Sequence, residues 1–489
     1  MLKYSYMKKK IFLVVPLFLL FAALSFFGIQ FFSKTGFFKI PGELVFSEDL
    51  PDAEKAYYET LFSDAELKKD LKLSLETTSA KKTSKTSLLL DVLVLTTDFY
   101  DPVSNISASE AALRLKENSS SLISVLALDN KSKLLSIDNK YFLDDFSSGA
   151  FFKYLNLESE SEEDLALAKN LISPTLKSFP EKSTTLSFLQ TGVTALSRRM
   201  NGKLAEVGDA TYFSEKIGDF LKSFDLTHTS NEASFTESAT SSNICSAPEM
   251  IDVLTSSGID IVELTGNHNL DCGVEAALET LDLYESLNIK TVGGGRDSED
   301  AKTPLKLSEK GTNITFLAYN ESTGGATTGD YPGANQYYEA EAEAEIKAAK
   351  ARGDVVIVDV QYYECNAYAS EYEDPTCDAA DSAAGDQIGL FRKLIDFGAD
   401  VVVGTSAHQT QTYELYGDGV IYYGLGNLWF DQVWWPGTRR SLALAHYFYN
   451  GKLLQTRLYG TTYDASLQPE LMEEEDFIWF LSRLNESRP

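Results

Sequence analysis

The sequence predicts an α/β fold built on a mostly parallel, layered sheet with an antiparallel extension. Three observations lead there. From Ser183 onward, β-branched and apolar runs alternate with stretches whose apolar residues recur at helical spacing. Polar clusters follow the ends of those runs, most plainly in "TGNHNLDCG", Thr265–Gly273, after "GIDIVELT" and before "VEAALETLDLYESLN". Such a cluster lies on a strand-to-helix loop, at the sheet edge where open α/β sheets bind ligands. Lastly, a hairpin turned at Gly417–Gly419 and the late strands "LALAHYFYN" and "LLQTRLYGTTY" supply the antiparallel part.

The bulk numbers set the frame. A chain of 489 residues, 44% hydrophobic, calls for two folded units plus extras. Lys and Arg total 43 against 72 Asp and Glu, a net charge of −29. That surface repels nucleic acid, and it meets any other polyanion only through a local basic patch or bridging cations. The four cysteines, Cys245, Cys272, Cys365 and Cys377, contain no CxxC and suit one or two disulfides outside a reducing compartment. Cys365–Cys377 would close the loop "CNAYASEYEDPTC", and Cys245–Cys272 is a second pair that would hold the "TGNHNLDCG" loop. The other pairings stay open.

In chain order, residues 1–33 join a basic flank (Lys8, Lys9, Lys10) to an apolar run, Ile11–Phe32, long enough to span a bilayer. They read as a cytoplasmic flank and signal anchor, making a single-pass membrane protein with the bulk of the chain extracytoplasmic. A cleaved signal peptide is the competing reading. Residues 34–182 read as a small α/β accessory domain with an acidic linker. Its elements are a helix in "KAYYETLFSDAELKKDLKL", a strand in "LLLDVLVLTTDFYDP" and a helix capped by Ser107 with Glu110 three residues on. Residues 183–463 carry the alternating pattern, including helices at "EKIGDFLKSFD" and "YYEAEAEAEIKAAKARG". Strands there deliver Glu232, Gln361 with Glu364, His408 and Asn427 at their ends. Residues 464–489 form an acidic amphipathic helix packed on that domain.

Within Thr265–Gly273, Asn267, His268 and Asp271 offer an amide, an imidazole and a carboxylate, types suited to a divalent metal or to proton transfer. The bland alternative is a polar loop with Asp271 capping the next helix. Taken with "TGVTALSRR", "SNEASFT", "KTVGGGRDSEDAKTP", "DVQYYE" and "GADVVVGTSAHQTQTYELYGDGVIYYGLGNLWFDQ", in that order along the chain, the motif makes residues 186–463 resemble the CapA family of poly-γ-glutamate capsule biosynthesis. CapA domains look like relatives of calcineurin-type metallophosphoesterases. The resemblance therefore implies a layered αββα sandwich whose site collects Glu232, Asn267, His268, Asp271, Glu364, His408 and Asn427.

This chain also departs from the family pattern. The usual glycine-aspartate pair is Thr191-Gly192, the first histidine of an "HxPH"-like segment is Thr405, and the histidine of "HWGEE" is Gln361. With four histidines in all, a full two-metal centre is not expected. His446 reads as a satisfied core residue, and the facing of His228 depends on strand register. The cofactor expectation is one divalent cation, Mg²⁺, Mn²⁺ or Ca²⁺, or none. The role expectations are His268, Asn267 and Asp271 catalytic; Glu232, His408 and Glu364 metal-binding; Asn427, Arg198, Arg199 and Trp434 substrate-binding.

Two functions follow from the resemblance. One is a membrane-anchored factor for synthesis, assembly or anchoring of an anionic extracellular polymer such as poly-γ-glutamate, working with that polymer or with other capsule-synthesis proteins. The other is a metal-dependent hydrolase of the cell envelope, phosphoesterase-like or polymer-cleaving, with His268 as proton donor to the leaving group.

Overall fold

The computed structural model describes residues 42–84, 86–117, 119–321, 324–327, 329–362 and 386–489. Ile11–Phe32, Glu364 and the Cys365–Cys377 pair lie outside them. Among the described residues, no helix is long and apolar enough to cross a membrane.

The chain divides into two units. The smaller comprises the described residues up to Glu76, with Ser84–Leu88 and Leu155–Leu176. In it, strand Leu44–Phe46 runs parallel to Leu71–Thr78. The helix expected from Lys55 onward is confined to Asp52–Leu61, because from Leu71 the apolar residues alternate and Leu71 and Leu73 are buried on a strand.

The larger unit comprises Thr77–Thr83, Leu89–Tyr154 and everything from Lys177. The accessory domain expected over 34–182 is thus divided. Its middle joins the larger unit because Val92, Val94, Leu134 and Tyr141 share one apolar core with Tyr447 and Leu454. Ser107 caps helix Ala108–Lys116, its hydroxyl accepting from Glu110 N at 3.2 Å.

From Thr185 the chain builds two sheets. Strands β1 (Thr185–Thr194), β2 (Leu226–Asn231), β3 (Ile261–Glu263) and β4 (Lys290–Val292) are parallel neighbours in the first. The chain then crosses to a second sheet made of β5 (Leu305–Glu309), β6 (Thr312–Asn320), β7 (Val355–Gln361), β8 (Val401–Thr405), β9 (Tyr413–Tyr416) and β10 (Gly419–Tyr422). Its order is β5-β6-β7-β8-β10-β9, parallel in the middle and antiparallel at both edges. The β9–β10 hairpin turns where expected, with Gly417 at φ +59°. The chain finally returns to the first sheet. There β11 (Asn427–Trp429) pairs with the end of β1, and β12 (Arg440–Tyr449), β13 (Lys452–Thr462) and β14 (Glu470–Leu471) extend the sheet antiparallel.

The two sheets pack face to face. Leu186, Phe188, Ile261 and Leu444 of the first meet Phe316, Ile357, Val403 and Tyr422 of the second. On the outer face of the first sheet, Leu189 and Val262 are covered by Met200 of α1 (Arg199–Val207) and Tyr284 of α2 (Val274–Ser286). On the outer face of the second, Val356, Val358 and Ile421 are covered by Ile346 of α3 (Glu339–Ala351) and Leu394 of α4 (Gln387–Phe397). The layering is αββα. The last helix, α5 (Glu474–Glu486), buries Phe480, Leu481 and Leu484 in the inter-sheet core, so it is packed on the domain. The helix expected at "EKIGDFLKSFD" shrinks to the four residues Gly218–Leu221.

Side chains alternate along each strand, and the inward-facing set turns polar toward the carboxyl ends. On β1 it runs Leu186, Phe188, Gln190; on β2, His228 then Ser230; on β7, Ile357, Asp359, Gln361. Register settles the question of His228. It is fully buried between the sheets, its Nε2 3.1 Å from Asp359, below the loops rather than among them. His446 is likewise a core residue, hydrogen-bonded through Nδ1 to Thr456 Oγ1 at 2.9 Å.

Candidate functional site

The polar layer surfaces at the carboxyl edge as a hydrogen-bonded chain of four residues. Thr405, at the end of β8, donates to Gln361 Oε1 at 3.0 Å. Gln361, at the end of β7, donates from Nε2 to Asn267 Oδ1 at 3.0 Å and more weakly to Glu232 Oε1 at 3.4 Å. Glu232 follows β2 and is fully buried, its N–H donating to Thr194 O at the end of β1. Gly266 is required here, because a Cβ on it would sit 2.8 Å from the Glu232 side chain.

His268 follows Asn267 in the chain, and His408 lies shortly after Thr405. His268 Nδ1 lies 2.8 Å from Asp271 Oδ2, and both side chains are partly exposed. Asp271 therefore orients the imidazole and leaves Nε2 to the solvent side. It does not cap α2, whose first turn follows Gly273 with no side-chain cap. The loop around them is pinned three ways. Asn269 donates to Leu264 O and Gly266 O, Ser234 donates to Asn269 O, and Cys272 forms a disulfide with Cys245. The cysteine double variant C245S/C272S is expected to lose about 2 kcal/mol in urea unfolding, the low end for a disulfide, because the other two pins remain. It should also become sensitive to proteolysis between residues 240 and 273; an unchanged midpoint and digest would show that the bridge does not hold the loop.

His408, three residues past Thr405, is buried. Its Nδ1 lies 2.8 Å from Asn427 Oδ1 and its ring packs on Phe430 at 4.4 Å. Asn427, expected to meet substrate, is fully buried, with its amide spent on His408, on Thr438 O and on Gln432. Its place is to orient His408. Arg198, expected to meet substrate, stacks on Phe430 at 5.0 Å and forms an ion pair with the buried Asp431. Arg199 opens α1 with its side chain exposed. Trp434 is 54% exposed and Trp435 39%, on the loop that Thr438 ties down by donating to Gln432 O and Trp435 O. Asp431, Phe430 and Tyr463, whose hydroxyl accepts from Asn427 at 3.4 Å, were not singled out by sequence. Their only signal was position in the "NLWFDQ" segment and in the last long strand.

The described donors do not fit a metal ion. The Gln361 amide N–H group is directed at Asn267 Oδ1 and Glu232 Oε1, two oxygens that a cation would otherwise take. Gly192 cannot regain a ligand, since a Cβ there would lie 2.0 Å from Gly426 O. Among the described residues, no three His, Cys, Asp or Glu side chains converge in metal-binding geometry. The expected ligand Glu364 lies outside the described residues.

An αββα sandwich with its polar cluster at the carboxyl edge is the class of fold that the CapA resemblance implied. Residues 187–432 match the family model described as bacterial capsule synthesis protein PGA_cap, and the chain belongs to that family. It is 25% identical over 209 residues to the capsule biosynthesis protein CapA of Bacillus anthracis, covering 42% of this chain and 48% of that one. It is 28% identical over 210 residues to the PGA biosynthesis protein CapA of Bacillus subtilis, covering 42% and 51%. The chain thus spans about half the length of the curated relatives it matches. Among solved structures, the NAD nucleotidase NadN of Haemophilus influenzae overlaps 62% of this chain and 56% of its own at 12% identity, with a TM-score of 0.32.

Proposed function

We propose that this protein is a membrane-anchored, extracytoplasmic factor that binds an anionic capsular polymer of the polyglutamate type during its synthesis, assembly or anchoring, without cleaving it. The kinship to capsule synthesis proteins supports the general role, and the Bacillus subtilis relative's description as a PGA biosynthesis protein supports the polymer class. The lysine-flanked run Ile11–Phe32 supports the anchor. The observation that carries the non-hydrolytic reading is the Gln361 amide. It donates N–H to Asn267 Oδ1 and, more weakly, to Glu232 Oε1, so these two oxygens are engaged in holding the loops together rather than offered to a Lewis acid. In this reading Asp271 orients His268, whose partly exposed imidazole serves as a hydrogen-bonding group for the polymer, while Asn427 fixes His408 in the buried layer behind it.

The hydrolase reading keeps one specific observation in its favour: a partly exposed His–Asp pair is suited to general acid catalysis. Purified full-length protein is expected to show no turnover of a generic phosphodiester or of a γ-glutamyl polymer, with or without Mn²⁺. Turnover that disappears in both His268→Ala and His408→Ala would replace the binding role by hydrolysis.

A further inference from the structure

Between the two sheets, four fully buried side chains each keep a polar atom that no protein group satisfies. Gln190 of β1, His228 and Ser230 of β2, and Glu263 of β3 are all 0% exposed. Register sets them side by side. His228 stands opposite Gln190 and Ser230 opposite Glu263, each pair one strand spacing of about 4.8 Å apart. His228 and Ser230 are two residues apart on one strand and share its inward face. Asp359 closes the group from β7, accepting from Gln190 Nε2 and standing 3.1 Å from His228 Nε2. Gln190 Oε1, His228 Nδ1, Ser230 Oγ and Glu263 Oε2 are left without a hydrogen-bond partner among the described residues. A buried polar atom left unpaired is rare and costly, and here four lie on three neighbouring strands.

We infer that this layer binds an ordered water molecule between Ser230 Oγ and Glu263 Oε2, with His228 Nδ1 or Gln190 Oε1 as its third partner. The chemistry of the four atoms decides the ligand class. Gln190 Oε1 only accepts, a carboxylate oxygen of Glu263 accepts, and the His228 tautomer with Nε2–H toward Asp359 presents Nδ1 as an acceptor. Ser230 is the one hydroxyl among them, and its single proton cannot serve three acceptors. The ligand must therefore bring protons of its own. It must also be small, because all four atoms are sealed from the surface. A cation brings no proton, and among the described residues no three His, Cys, Asp or Glu side chains converge in metal-binding geometry. Water donates two hydrogen bonds, accepts others, and makes about three when buried. Its place also gives it a part in holding the histidine loop. Glu263 Oε1 accepts from Thr265 N and Oγ1, and Thr265 O accepts from Asn320 Nδ2 at 2.7 Å, at the root of that loop. The water joins this buried anchor to β2, whose His228 meets Asp359 of the second sheet.

The test is electron density from crystals of the full-length chain, with Ser230→Ala in urea unfolding as an independent arm. Density should show a water peak within hydrogen-bonding distance of Ser230 Oγ, Glu263 Oε2 and one of the other two atoms. Rotation of Ser230 and Glu263 into a direct hydrogen bond, with no peak between the strands, would overturn the site. A peak with about six oxygen contacts near 2.4 Å would mark a cation and overturn the water class. Ser230→Ala should lower the urea midpoint, because the water loses a partner in the interior. A dry layer predicts the reverse, since alanine would then remove an orphaned hydroxyl. A midpoint that rises or stays unchanged would therefore overturn the proposal. If Ser230→Ala fails to fold, the density of the wild-type protein alone decides.

Discussion

Replacing Asp359 by alanine should cost on the order of 3–5 kcal/mol, read from urea unfolding followed by tryptophan fluorescence. Asp359 lies between the two sheets, only 1% exposed. Its carboxylate accepts from Gln190 Nε2 and stands 3.1 Å from His228 Nε2, so a single side chain on β7 ties the second sheet to both β1 and β2 of the first. Alanine would leave an amide and an imidazole buried without that acceptor, each worth about 1–3 kcal/mol, and would add a small cavity. The nearby rings make relaxation difficult. Phe188 stacks on His446 at 5.8 Å and meets His228 edge-on at 6.2 Å, so the gap has rigid walls. Asparagine at the same position keeps the volume and one acceptor, and should cost less. A loss below about 1 kcal/mol for Asp359→Ala would show that His228 and Gln190 find other partners in the interior.

The strands and helices of the larger unit were legible because local signals carried them, and the αββα layering because the family motifs implied it. The alternating strands and helices placed β1 to β4 and β6 to β8, and the Gly417–Gly419 turn gave the β9–β10 hairpin. The histidine loop was legible because "TGNHNLDCG" sits between a strand and a helix, and its cysteine found the partner named for it. What stayed hidden depends on contacts between distant segments. Strand β7, "VVIVDVQ", is buried on both faces, so no alternation marks Asp359 and Gln361 as members of an inward polar set. The Arg198–Asp431 pair joins residues 233 positions apart, and nothing in either segment announces the other. The accessory segment read as one domain because its helices and strands are locally well formed. Its division depends on which apolar faces meet, and Val92 and Val94 are covered by a core that includes residues from the far end of the chain.

Glu263→Gln should change the pH dependence of stability rather than its magnitude at one pH. Glu263 is fully buried on β3, facing Ser230 and His228 of β2 and Asp359 of β7, with its Oε1 accepting from Thr265 N and Oγ1. Burial first, and the Asp359 charge second, raise its pKa from about 4.5 to about 7. His446, on β12 of the same layer, is pushed the other way. Burial first, and the neighbouring His228 second, lower its pKa from 6.5 to about 3. Glu263 binds its proton more tightly folded than unfolded, so its contribution is full below about 4.5 and is lost as pH rises through about 7. His446 binds its proton less tightly folded, so its contribution is full above 6.5 and is lost as pH falls toward 3. In the wild type these two slopes oppose each other across the window they share. Removing the carboxylic acid while keeping its shape unmasks the histidine. Between pH about 4.5 and 7, the stability difference between Glu263→Gln and wild type should therefore move by about 3 kcal/mol in the variant's favour as pH rises. His446→Gln should shift the opposite way, gaining on wild type as pH falls. Urea midpoints at pH 5 and pH 8 for the three proteins measure both shifts, and a Glu263→Gln curve that merely runs parallel to wild type would mean that Glu263 is ionised in the folded core.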